Sequence, residues 1–387
     1  MAPPVRLLDL TRLTARAGRL PTGVDRVERA YLSHLSARGP LWGLVRTRLG
    51  FLLLDPQGVE AAVPALTGSA LPGADLLSRL SWRTNTGRAR AESALRRLAR
   101  ARCRRGGLAG MLSKHLGQGW SAYSVGLMNL TPSTVAALAG GGRLSVMIHD
   151  TIPLDHPEFA RPDAPARLRG VLTAARGASR VLCNSAATLA DVQRHLPEAP
   201  PLTVARLGID AATRGPLPRG LPPTGPYFVA LGTVEGRKGL ELLLDIWEDF
   251  DGSGPALVLA GAAGWRADGV LERLARGIPK VTHRADLDDG AVASLLAGAH
   301  GLLFPSRAEG FGLPPFEALA HGTPVTCAPL AIWEELLGDR AVYLDPDDRY
   351  LWTRRIETLA AGPRVPVPTG ELPSWDDHFK AVLSGGW

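Results

Sequence analysis

The chain has 387 residues, a net charge of +7, 45% apolar and 21% charged residues, and is rich in Gly and Pro. That length is too great for one ordinary core and suits two domains of ~150–200 residues each, and the apolar share argues against extensive disorder. Cys103, Cys183 and Cys327 stand far apart with no CxxC spacing, so neither a disulfide framework nor a cysteine metal knuckle is expected, and inert thiols in a reducing compartment fit.

The N-terminus carries no apolar signal segment, and no stretch approaches the ~20 apolar residues of a membrane span. A cytoplasmic protein is expected, or one peripheral to the inner face of the cytoplasmic membrane. The charge is uneven. Before position 206 there are 27 basic against 13 acidic residues, and from it onward 17 against 24. Two halves of opposite charge point to two domains with different partners.

In chain order, short apolar runs predict strands at 6–10, 51–54, 122–126, 145–149, 181–184 and 203–207. Helical periodicity covers 24–37 and 186–195. A Pro- and Gly-rich stretch without periodicity, 214–226, predicts the linker. The second half is cleaner, with strands at 227–231, 256–260, 301–304, 325–327 and 342–344. Helices fall at 240–250, 269–276, 289–298 and 333–337. Such alternation predicts an α/β fold of parallel sheets covered on both faces. The domains are expected at 1–213 and 227–370, with a ligand in the cleft at the C-terminal ends of the strands. Residues 371–387 are expected to form a helix, capped by Ser374, that crosses back to the first domain.

Four segments carry chemistry. Residues 305–325 read PSRAEGFGLPPFEALAHGTPV. A Gly-containing loop, Gly310-Phe311-Gly312-Leu313, feeds a helix whose Pro314 and Pro315 suit its first turn. Free backbone N–H groups and the positive helix end then face an anion such as phosphate. Glu309 and Glu317 flank that loop and can accept hydrogen bonds from sugar hydroxyls. Gly232 to Gly239 put Arg237 and Lys238 at the helix start after a strand, where cations can stabilise charge on a leaving phosphate. His149 ends a strand in SVMIHDTIPLDHPEF, at the cleft edge, and Ser185 is expected as a helix cap. Gly23, in PTGVDRVE, is expected in a loop after the first strand, with contacts from Thr22 or Arg26 open. The run 79–105 holds ten Arg and one Glu, with Leu95, Leu98 and Ala99 interleaved at helical spacing over 91–103. It is either a solvated basic surface or a contact for anionic membrane or a lipid diphosphate. No nucleic-acid partner is expected, because no aromatic set is interleaved with the charge. No His, Cys or Asp cluster stands at metal-ligand spacing.

The wording of 305–325 resembles the Glu-x7-Glu signature of the retaining GT-B glycosyltransferases of the group one, family four type. The segments at 232–239 and 149–158 are similar to other motifs of that family. The resemblance is tight over 227–345, patchy over 144–210 and loose over 38–120. It implies a GT-B architecture of two Rossmann-like domains and a nucleoside-diphosphate sugar donor. The implied acceptor is a glycan or polyprenyl-linked glycan of cell-surface polysaccharide. It assigns catalytic roles to His149, Glu309, Arg237 and Lys238, with His149 and Glu309 at the sugar and the cation pair at the diphosphate. It assigns donor contacts to Gly23, Gly232, Gly310, Phe311, Gly312, Leu313 and Glu317, the last at the ribose. It implies hexose transfer with retention by same-face attack, no metal and no cofactor, and the His149 segment leans towards a mannose donor. Two other readings stay open: a nucleotide-sugar epimerase on the same fold, and a non-catalytic scaffold of a polysaccharide assembly.

Overall fold

The computed structural model describes residues 5–67, 70–71, 73–79 and 86–387. Residues 80–85 of the basic run lie outside the described residues.

The first sheet has eight strands: β1 (Arg6–Asp9), β2 (Leu41–Thr47), β3 (Gly50–Leu54), β4 (Ala101–Cys103), β5 (Trp120–Ser124), β6 (Gly142–Ile148), β7 (Arg180–Cys183) and β8 (Leu202–Val204). Their order is β4-β3-β2-β1-β5-β6-β7-β8. From β2 to β8 the pairs are parallel, and β1, β5 and β7 are buried along their whole length, as strands covered on both faces must be. At the other end the expectation of a wholly parallel sheet fails. β2, β3 and β4 pair antiparallel around a tip at Arg48 and Leu49. The sequence hid β2 because Gly43 interrupts it. In the fold, Leu10, Val59 and Leu54 fill the space a Gly43 side chain would take. The helix read across 91–103 is also corrected. A helix runs Thr86–Leu98 and the chain then turns into the edge strand β4.

The second sheet has six strands: β9 (Tyr227–Leu231), β10 (Ala256–Ala260), β11 (Val281–Arg284), β12 (Gly301–Phe304), β13 (Val325–Cys327) and β14 (Ala341–Tyr343). Every pair is parallel and the order is β11-β10-β9-β12-β13-β14. Chain order therefore reverses between β9 and β12, which is where open α/β sheets bind ligands. β11 escaped the sequence reading because it is a half-buried edge strand with no continuous apolar run.

The last helix, Trp375–Leu383, is capped by Ser374 and lies against the first domain. His378 Nε2 meets the Tyr31 hydroxyl at 3.0 Å, and its Nδ1 meets Arg206 O at 2.9 Å. Phe379 packs edge-on to Tyr31, with ring centroids 5.0 Å apart. One apolar cluster runs from Leu8 and Tyr31 through Leu207, Trp375 and Phe379 to Val229 and Phe304, joining the domains along the linker side.

Candidate active site

The loops at the β9/β12 reversal meet in one ionic cluster. After β9, a short 3-10 turn, Gly236–Lys238, turns both cations towards the loop after β12. Lys238 Nζ lies 2.5 Å from Glu309 Oε1, and an Arg237 amine lies 2.8 Å from Glu309 Oε2. Arg237 also pairs with Glu235 at 2.8 Å and donates to Ala308 O at 2.7 Å. This is no solvated Arg-Lys pair, since the side chains of Lys238 and Glu309 are 8% and 6% exposed. Burial works to raise the Glu309 carboxyl, but Arg237 and Lys238 outweigh it and hold it at about 2. The carboxylate is thus ionised at any working pH, and the cluster is pre-arranged before a ligand arrives.

Beyond Glu309 the chain makes the anion-facing turn. Gly312 has φ of +79°, and a Cβ there would sit 2.4 Å from Trp333 Nε1, so only glycine fits. Leu313 then opens the helix Leu313–Ala320 with prolines in its first turn. The Phe311 side chain is turned inward and stacks on Phe316 at 5.5 Å, so Phe311 can face the cleft only through its backbone. Gly232 follows β9, and Lys238 Nζ lies 3.3 Å from where its Cβ would be.

The first domain brings His149 and Asp150 to the same place. A Cβ on Gly310 would lie 2.7 Å from His149 O and 3.0 Å from the Asp150 Cβ, so the glycine allows the two domains to touch there. His149 is buried. Its Nε2–H donates to Val125 O at 2.7 Å, and Asn184 Nδ2 donates to His149 O at 2.9 Å. Burial holds its imidazole at about 4, so the ring is neutral near pH 7 with Nδ1 as a free acceptor. Asp150 is raised by burial, with Arg237 opposing that shift. Ser185 does cap its helix, accepting from Thr188 N.

Gly23 departs from its expected setting. It is the first residue of the helix Gly23–Ala37, behind a capping box of Thr22 and Asp25, and not part of an open loop. Asp25 is also held by Arg12 at 2.9 Å and Arg16 at 2.5 Å, which pins this helix start. Gly23 nonetheless faces the loop at Gly310–Leu313, with Leu313 Cδ1 3.6 Å from its Cβ position. Three residues on, Arg26 crosses the cleft. One amine pairs with Glu317 and the other lies 2.6 Å from Asp289. Behind this pairing is a cavity of about 420 Å³, lined in part by Arg26, Leu207, Asp289, Glu317, His321 and Trp375.

Asp150, Glu235 and Asp289 thus join the site although sequence reasoning passed over them as site residues. Asp150 and Glu235 had a signal, because each adjoins a motif residue. Asp289 had none. At the far mouth of the cleft, Arg266 donates to Glu158 O at 2.7 Å and Arg161 lies over the Trp265 ring at 4.8 Å. On another flank Glu335 accepts from Ala186 N and Ala187 N at 3.0 and 2.9 Å. Among the described residues no group of three or more His, Cys, Asp and Glu side chains is placed to hold a metal ion, and no helix is long and apolar enough to cross a membrane.

Two Rossmann-like domains facing a cleft, with phosphate-type loops at the strand reversal, define the GT-B architecture. Residues 225–361 match the family model for glycosyl transferases group 1. The chain is 30% identical over 233 residues to the serotype-specific mannosyltransferase WbdA of Escherichia coli, an alignment covering 53% of this chain and 28% of WbdA. It is 28% identical over 139 residues to the O-antigen chain mannosyltransferase RfbU of Salmonella typhimurium, covering 34% of this chain and 38% of that one. The chain therefore spans well under half the length of these relatives. Among solved structures, Anabaena HepE in complex with UDP-glucose superposes with a TM-score of 0.61 at 16% identity, over 91% of this chain and 89% of that one. WaaG, a glycosyltransferase involved in lipopolysaccharide biosynthesis, gives 0.58 at 14% identity, over 99% and 96%.

Proposed function

We propose that this chain transfers a hexose, with mannose the first candidate, from a nucleoside-diphosphate sugar to a glycan or lipid-linked glycan acceptor of cell-surface polysaccharide, with retention of configuration. The observation that carries this reading is the Arg237–Lys238–Glu309 ion-pair cluster, with Lys238 and the Glu309 carboxylate buried, beside the Gly310–Gly312 turn. Breaking a glycosidic bond to a diphosphate builds negative charge on the phosphate and positive charge on the sugar. Fixed cations and helix N–H groups answer the first, and the ionised Glu309 with a neutral His149 answers the second. Glu317 is the ribose carboxylate in this reading. Because Arg237 and Lys238 supply the positive charge, transfer is taken to need no metal, and activity should survive a chelator. The mannosyltransferase names of WbdA and RfbU support the choice of sugar.

The test is turnover with a panel of uridine- and guanosine-diphosphate sugars and glycan acceptors, with the product anomer read by NMR. A product of the donor's own anomeric configuration is expected. The inverted anomer would overturn retention, and donor conversion without any acceptor would indicate an epimerase instead.

The acceptor is assigned to the first domain. Its outer edge at β4 carries exposed Arg97, Arg100, Arg102, Arg104, Arg105 and Lys114. Exposed Leu49 stands at the β2–β3 tip beside them. Arg88 and Arg96 are instead drawn inward to Glu92 and Asp75. Outward cations around an apolar tip support contact with an anionic lipid surface.

A further inference from the structure

Arg26 pairs with the carboxylate that the proposed function gives to the ribose. Its guanidinium, from the first domain, is divided between Glu317 and Asp289 of the second, and this pairing spans the cleft directly beside the Leu313 end of the phosphate-facing helix. Arg26 already holds one Glu317 oxygen and the side chain is only 15% exposed, so ribose hydroxyls reach both oxygens only by entering the space the guanidinium fills. We propose that Arg26 is an interdomain clasp on the ribose carboxylate, and that nucleotide binding releases it. The proposal rests on the reading of Glu317 as the ribose carboxylate.

Two features support release as opposed to permanent closure. The helix start that carries Arg26 is pinned independently through Asp25, Arg12, Arg16 and the Thr22 cap, so the clasp is not needed to hold that helix. The cavity lined by both Arg26 and Glu317 also gives the displaced guanidinium room to withdraw. Meanwhile Glu335 on the Ala186 and Ala187 amides, and Arg266 on Glu158, still join the domains when the clasp is open. Donor affinity is therefore reduced by the fraction of molecules in which Glu317 is taken.

The experiment measures binding of uridine diphosphate, guanosine diphosphate and inorganic pyrophosphate to the full chain by calorimetry. If the clasp is closed in about 70–90% of molecules, Arg26→Ala should bind the preferred nucleotide roughly threefold to tenfold more tightly. Pyrophosphate, which has no ribose, should gain nothing. Glu317→Ala should weaken the nucleotide and leave pyrophosphate unchanged. Glu335→Gln, which loosens closure away from the donor loops, should leave nucleotide affinity unaltered. Thermal melting of each variant checks folding, and Arg26→Lys should fall between wild type and Arg26→Ala. Equal or weaker nucleotide binding by Arg26→Ala, with Glu317→Ala still weakened, would overturn the clasp and keep the ribose reading. A Glu317→Ala variant that binds nucleotide as well as wild type would remove both.

Discussion

The two domains use charge in opposite ways. In the second, the buried side chains of Lys238 and Glu309 and the half-buried Arg237 are paired and fixed around one turn of chain. In the first, a row of cations from Arg97 to Lys114 stands exposed along the edge around β4. Buried charges cannot be left unpaired without a large cost, so their geometry is rigid and suited to chemistry. Exposed charges are individually weak, screened by salt, and suited to collective contact with a surface. The difference teaches that the positive net charge says little about the proposed reaction, which is argued from two cations in the more acidic half.

The largest effect expected from this contrast is on catalysis. Arg237→Ala or Lys238→Ala should each slow transfer by about 10²-fold or more, as losing one fixed electrostatic donor does, measured as kcat. Rates within threefold of wild type in both variants would remove their role at the diphosphate. Next comes stability. Glu309→Ala leaves the buried Lys238 without its carboxylate and should cost about 3–5 kcal/mol in denaturant unfolding, whereas Arg104→Ala on the exposed edge should change stability by less than ~0.5 kcal/mol. Similar costs for the two would erase the distinction.

Acid should divide the domains as well. His378 in the first domain's contact with the last helix is held at about 4 by burial, against 6.5 when free. A lowered folded value means the unfolded chain binds the proton first, so this group subtracts stability as pH falls from 6.5 to 4. His378→Gln should accordingly lose less stability than wild type over that window, by an amount on the order of a few kcal/mol. Glu309, held at about 2 against 4.5, contributes fully above pH 4.5 and loses its contribution only as pH falls towards 2. Parallel acid profiles for wild type and His378→Gln would contradict this. The smallest effect per residue is at the membrane. Binding to anionic vesicles should weaken by about 1 kcal/mol for each exposed Arg replaced along 97–105, and should fall with salt, as read by sedimentation. No binding at low salt would leave the edge as plain solvated surface while transfer stands.

Much of the second domain was legible because its signals are local. Continuous apolar runs gave β9, β10, β12 and β13, and Gly310 to Leu313 marked the turn into the phosphate-facing helix. In the first domain, Gly43 masked β2, and an arginine-rich segment that looked helical throughout became helix and then edge strand.

The sequence by itself determined the alternation of strands and helices, the helix caps at Ser185 and Ser374, and the donor-loop glycines. Each of these rests on backbone preferences and periodicity within about ten residues. Only the tertiary structure decided that Lys238 is buried against Glu309, that the Phe311 ring turns inward, that His149 O abuts Gly310, and that Arg26 reaches Glu317, 291 positions away. Those contacts depend on how two sheets stack and close across a cleft, and burial then converts ordinary charged residues into fixed ones.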